Sequence, residues 1–104
     1  MAERAAIVTG ASSGIGLEIA RLLGEEGHAV TMAARRPEKL EAAAAELADE
    51  GLDVQAVAGD LGREEDVQRV VTVHRERYGR LDVLVNNAGV GIGAAVGSIP
   101  HPRW

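Results

Sequence analysis

Thr9-Gly10-Ala11-Ser12-Ser13-Gly14-Ile15-Gly16 is the stretch that decides the fold. It follows an apolar segment, Ala5-Ala6-Ile7-Val8, and opens an amphipathic one from Ile15 to Leu23. A strand, a glycine turn and a helix in that order form the unit that binds dinucleotides. Gly10 permits the sharp reversal at the strand end. Gly14 lets the backbone approach an anionic diphosphate, and Gly16 lets the new helix press against the strand. Amides around Ser13 to Ile15 then stand at the positive end of a helix dipole, where phosphates bind. Gly10, Ser12, Ser13, Gly14, Ile15 and Gly16 are therefore candidate cofactor contacts. A tight strand–helix turn with no ligand is the plain alternative.

Outward from this turn, apolar runs and helical patterns alternate. Strands are predicted over 5–9, 29–34, 54–58 and 82–86. Helices are predicted over 14–26, 37–50 and 63–78, ended by Gly27, Gly51 and Gly79. The first helix carries Ile15, Ile19, Leu22 and Leu23 on one stripe. The second opens on Pro37 and turns Leu40, Ala43, Ala44 and Leu47 inward, and the third turns Val67, Val70 and Val71 inward. His74 falls on that third stripe and reads as a half-buried packing residue. Asp82, before strand four, reads as structural.

This alternation implies a parallel sheet with right-handed crossovers. The expected class is α/β, a Rossmann-type doubly wound sheet of about four strands in the order 3-2-1-4 with three helices. Helices one and two share a face and helix three takes the other. Ligands of such sheets bind at the carboxyl ends of the strands, at the switch point between strands one and four. Two glycine-rich loops, 10–16 and 87–91, meet there. Residues 1–91 form the expected binding domain, and 92–104 read as an irregular tail with Gly93, Gly97, Pro100 and Pro102.

Composition narrows the function. The net charge is -5 with no basic run, which argues against nucleic acid as a partner. Cysteine is absent, so disulfides and thiolate metal sites are excluded and a reducing compartment is compatible. His28, His74 and His101 have no metal-ligand spacing. No apolar stretch approaches the roughly 20 residues of a membrane helix. The first strand starts too early for a signal segment, and the expected location is the cytoplasm. A Gly-Lys-Ser/Thr step is missing, which excludes a P-loop.

The end of strand two bears on which dinucleotide fits. A carboxylate there would accept from the ribose 2′-hydroxyl of NAD. The chain has Ala34, followed by Arg35 and Arg36, whose guanidinium forks suit a 2′-phosphate. Both arginines precede the N-terminus of helix two, where the dipole disfavours cations. NADP(H) is therefore favoured and NAD(H) remains possible. The competing reading of Arg35 and Arg36 is a solvated surface pair. The missing carboxylate also weighs against a methyltransferase-like domain.

The chain resembles the short-chain dehydrogenases/reductases over roughly residues 5 to 91. Thr9-Gly10-x-x-x-Gly14-x-Gly16 matches the family's glycine pattern, Asn86-Asn87-Ala88-Gly89 its N-N-A-G run, and Asp60-Leu61 a weaker third position. The resemblance implies that Gly14, Ile15 and Gly16 contact a nicotinamide dinucleotide. It implies that Asp60 bonds the adenine with Leu61 beside it, and that Asn87, Ala88 and Gly89 line the adenosine side. Thr9 and Asn86 would brace strand four against the glycine loop. Asp60 could equally serve as a cap for helix three or its turn.

By the same resemblance the activity is hydride transfer between the nicotinamide and a small carbonyl or alcohol substrate. The family's chemistry requires a Tyr-x-x-x-Lys pair, with a serine and an asparagine, beyond strand four. Here the only tyrosine is Tyr78 and the only lysine is Lys39, and neither fits. No catalytic residue is therefore assigned. The expectation is a cofactor-binding portion, from a truncated or frame-shifted product or a domain fragment. Its fourth strand would expose an apolar edge that invites self-association.

Overall fold

The computed structural model describes residues 4–88. Gly89 and the tail predicted over 92–104 lie outside the described residues. Four strands, β1 (Arg4–Thr9), β2 (His28–Ala34), β3 (Val54–Ala58) and β4 (Val83–Asn86), alternate with α1 (Gly14–Glu25), α2 (Pro37–Asp49) and α3 (Glu64–Tyr78). The order is β3-β2-β1-β4, every pairing is parallel, and Ala6 to Thr9 of β1 register with Val83 to Asn86 of β4. The predicted class and strand order hold, and element ends move by one residue. After β3 the next strand is added on the other side of β1, so the strand order switches between β1 and β4, and helix α3 lies on the opposite face from α1 and α2.

Alternation along the strands builds two cores. Val8, Val30, Met32 and Ala34 face α1 and α2, where Leu40, Ala43 and Leu47 are buried. Ile7, Ala33 and Val57 face α3 and meet Val67, Val70 and Val71. β2 is buried on every residue, as an inner strand of a covered sheet requires. Burying a side chain such as Leu40 or Leu47 contributes about 2 kcal/mol.

Helix α1 departs from the predicted stripe. Gly16 and Ala20 are buried, with Leu17, Ile19 and Leu23 packed beside them. Ile15 is 72% exposed and Leu22 58%. Small residues one turn apart let the helix axis approach the sheet closely, so Gly16 and Ala20 take the centre of the contact. Ile15 and Leu22 are thereby turned to one shoulder. On the other flank Arg21 binds Glu46 and Glu50 of α2 and Glu18 of its own helix.

His74 is also more deeply placed than its sequence suggests. It is fully buried, not half-buried. Its Nε2 faces the Arg80 carbonyl at 2.8 Å and so donates, which leaves Nδ1 to accept from the Thr31 hydroxyl at 2.6 Å. Gln55 Nε2 donates in turn to Thr31 Oγ1 at 2.8 Å. This chain stitches α3 to β2 and β3 and favours the neutral imidazole. Asp82 is structural as expected, because its Oδ2 accepts from the Ala5 amide at 2.8 Å and ties β4 to β1.

Candidate functional site

Three loops leave the carboxyl ends of the strands on one side of the sheet. Between them lies a cleft of about 440 Å³, a size typical of small-molecule sites. The β1–α1 turn contributes Gly10, Ser12 and Ser13 to its lining. The end of β2 and the start of α2 contribute Ala34, Arg35, Arg36 and Lys39. Gly59, Asp60, Leu61 and Gly62 form the third wall, and Ala88 closes the β4 side.

The glycine turn has the backbone its sequence demands. Gly10 has φ +64°, a conformation that strains any residue with a side chain. A Cβ on Gly16 would run into the Gly10 carbonyl and stand 2.9 Å from Asn87 Nδ2. The closest approach at Gly16 is thus to the Gly10 carbonyl, just past the end of β1, and to Asn87. Helix α1 begins after Ser13 with no side-chain cap and no acid in its first turn. By contrast α3 opens with Glu64, Glu65 and Asp66. The positive end of α1 is therefore left without a neutralising carboxylate, while that of α3 is supplied with three.

The Asn86-Asn87-Ala88 run locks this turn in place. Asn87 Nδ2 donates to the Gly10 carbonyl at 3.3 Å, and the Ala88 amide donates to Thr9 Oγ1 at 3.0 Å. The Thr9 hydroxyl lies 3.3 Å from the Val85 carbonyl and from Asn86 Oδ1, able to donate to either. Ala11 ties the turn to β2 through the Ala33 carbonyl at 3.2 Å.

Arg35, Arg36 and Lys39 are exposed and form no ion pair among the described residues. Arg21, Arg63, Arg69, Arg77 and Arg80 all have carboxylate partners. Three uncompensated cations beside one cleft make an anion-attracting end. Asp60 sits at the other wall. Its Oδ1 accepts from the Gly62 amide at 3.0 Å, and its carbonyl accepts from Arg63 at 2.9 Å. The turn-forming role foreseen for Asp60 is thus present alongside its place in the cleft.

Of the sequence-predicted residues, Gly10, Ser12, Ser13, Arg35, Arg36, Asp60, Leu61 and Ala88 converge on the cleft. Gly14, Ile15, Gly16 and Asn87 stand behind or beside it without lining it. Gly89 lies outside the described residues. Lys39, Gly59 and Gly62 line the cleft and were not singled out from sequence. The signal for Lys39 was present: it lies one turn after Arg36, and helical side chains lean back toward the N-terminus.

Tyr78 lies elsewhere. Its hydroxyl donates to Asp53 Oδ1 at 3.3 Å, and it lines a separate cleft with Arg4, Arg77 and Arg80 around the opposite ends of the strands. Burial and the Asp53 carboxylate push the phenol up to about 12. No cluster of three His, Cys, Asp or Glu suited to a metal occurs among the described residues. No helix among them is long and apolar enough to cross a membrane.

A parallel sheet with a 3-2-1-4 switch and a glycine turn at the switch define a Rossmann-type nucleotide-binding unit. The short chain dehydrogenase family model matches residues 4–104, and the chain belongs to that family. It is 46% identical over 100 residues to an uncharacterized oxidoreductase, YxjF, of Bacillus subtilis, covering 96% of this chain and 39% of the relative. It is 43% identical over 99 residues to a putative ketoacyl reductase of Streptomyces coelicolor, covering 95% and 38%. The chain thus spans about two fifths of the relatives' length. Among solved structures, an actinorhodin polyketide ketoreductase with NADPH superposes with a TM-score of 0.80 at 44% identity, covering 84% of this chain and 34% of that one. L-Sorbose reductase from Gluconobacter frateurii, complexed with NADPH and L-sorbose, gives 0.80 at 41% identity, covering 88% and 35%.

Proposed function

We propose that this chain is the cofactor-binding portion, residues 1–91, of an NADP(H)-dependent short-chain dehydrogenase/reductase. The observation that carries the reading is the set of unpaired cations Arg35, Arg36 and Lys39 at the end of β2, where no carboxylate stands. The 2′-phosphate of NADP(H) lies against these cations, and the charged hydrogen bonds available to a guanidinium fork favour it over a bare hydroxyl. Neutral Ala34 offers a ribose hydroxyl no acceptor side chain, so NAD(H) binds less tightly. The diphosphate rests at the uncapped N-terminus of α1, over Gly14 and Ile15. Asp60 and Leu61 hold the adenine, and Ala88, with Asn87 next to it in the chain, borders the adenosine. The ketoreductase and the sorbose reductase that superpose on this chain were solved with NADPH, which supports the same cofactor here.

Bound nicotinamide supplies or accepts a hydride, and the substrate is a small carbonyl or alcohol. The residues of this chain bind and orient the cofactor. None of them is assigned the proton given to or taken from the substrate oxygen, because Tyr78 is at the far end of the sheet and no lysine follows it by four. The 104-residue chain accordingly binds the dinucleotide without turnover. The composition without cysteine suits the cytoplasm. The test is fluorescence titration with NADPH and NADH, followed by incubation with carbonyl compounds. Tighter binding of NADPH with no oxidation supports the reading, and equal or absent binding of the two contradicts it.

A further inference from the structure

The third wall of the cleft is a short loop between β3 and α3, and two side chains of α3 hold it. Asp66 Oδ2 accepts from the Asp60 amide at 2.9 Å. Arg69 Nη2 donates to the Ala58 carbonyl at 2.6 Å. These two peptide groups flank Gly59, whose own amide donates to the Ala34 carbonyl at 2.9 Å. Asp66 and Arg69 lie one turn apart on α3, and Arg69 Nη2 stands 3.6 Å from Asp66 Oδ1. A Cβ on Gly59 would sit 2.9 Å from Arg69 Nη2 and 3.2 Å from Asp66 Cβ. The space that a side chain would need at position 59 is filled by this clamp.

We propose that Asp66 and Arg69 are positioning residues for the adenosine end of the ligand, a proposal that rests on the function given above. Neither lines the cleft. They act through the backbone, one on each side of Gly59, and so set where the Asp60 carboxylate and Leu61 stand. Asp60 Oδ2 makes no protein hydrogen bond among the described residues, whereas Oδ1 is held by Gly62. The clamp therefore presents one free carboxylate oxygen in a fixed place. An N-terminal helix acid that only stabilised α3 would bond its own helix's amides. Asp66 instead reaches back to Asp60, six residues earlier.

The test uses the whole chain, with NADPH and 2′,5′-ADP as probes of the complete ligand and its adenosine end. Asp66→Ala is expected to weaken both by about the same factor, roughly tenfold, the scale of one charge-assisted hydrogen bond. Asp66→Asn keeps an acceptor oxygen and is expected to restore affinity to within about threefold. Amide exchange of Asp60, followed by NMR without ligand, should accelerate in Asp66→Ala and stay slow in Asp66→Asn. Arg69→Met, at an exposed position, repeats the binding test if Asp66→Ala loses its circular dichroism spectrum. Unchanged affinity in folded Asp66→Ala, or in Arg69→Met when it stands in, overturns the proposal. So does unchanged Asp60 exchange, or an Asp66→Asn as weak as Asp66→Ala. A wild-type chain that binds neither probe overturns the function reading, and this proposal with it. Wild-type binding beside an indifferent variant overturns the clamp alone.

Discussion

The side-chain amide of Asn87 donates to the carbonyl of Gly10 at 3.3 Å, across 77 residues of sequence. That contact joins the end of β4 to the glycine turn after β1, and Gly16 packs beneath both. The mouth of the cleft is thus a single unit made from two distant motifs.

Gly16→Val places its branched side chain against the Gly10 carbonyl and Asn87 Nδ2, with nowhere to move. The expected destabilisation is about 1–3 kcal/mol, the usual cost of overpacking, with loss of NADPH binding. Gly14→Ala meets no atom within 4 Å but must adopt φ near +59°. It should cost about 1 kcal/mol and fold normally. Urea denaturation of the two variants should rank them in that order.

Removal of the cations at the end of β2 should separate the two cofactors. Arg36→Ala, and Arg35→Ala beside it, should weaken NADPH by about tenfold or more, the range of a charged hydrogen bond, and leave NADH nearly unchanged. Lys39→Ala should weaken NADPH by a smaller factor, because a lysine offers a point charge without a fork. Parallel titrations with both coenzymes measure the split.

Stability should fall on mild acidification because of His74. Burial lowers its pKa below the ordinary 6.5, outweighing the Arg80 carbonyl and the nearby Asp82. The unfolded chain therefore takes up a proton before the folded one does. Stability from the neutral ring is complete above about pH 6.5 and declines as pH falls toward the folded value. His74→Gln should flatten that decline in urea titrations between pH 7 and pH 5, while lowering stability at neutral pH.

A second loss belongs to Asp82 at stronger acid. The Arg80 guanidinium and the Ala5 amide hold its carboxyl down to about 2, from an ordinary 3.8. The tie between β1 and β4 is thus intact above about pH 4 and weakens as pH falls toward 2. Asp82→Asn should lose the acid step between those values. Thermal melts at pH 4 and pH 2.5 report it.

Ile15 and Leu22 are exposed on one shoulder of α1, and β4 pairs only with β1 among the described residues. Exposed apolar side chains and a strand edge without a partner each favour association. Sedimentation velocity should show concentration-dependent oligomers that Leu22→Glu reduces. A clean monomer at high concentration contradicts this expectation.

The strand order was legible because apolar runs alternate with helical periods, and chirality leaves few ways to connect them. The cleft was largely legible too, since Gly10, Arg35, Asp60 and Ala88 sit at strand ends that the order brings together. The inward face of α1 was misread at Ile15 and Leu22. Periodicity locates a stripe, but Gly16 and Ala20 set its centre by permitting close approach. The His74–Thr31 bond and the Asp66–Asp60 bond were invisible for another reason. Both depend on side chains crossing between elements, and their sequence positions look like an ordinary helical stripe and an acidic first turn.

Isothermal calorimetry with NADPH and NADH, on chain shown to be folded by circular dichroism, tests the central claim most directly. The account predicts one-to-one binding of NADPH, at least about tenfold tighter than NADH. No heat with either coenzyme would contradict it.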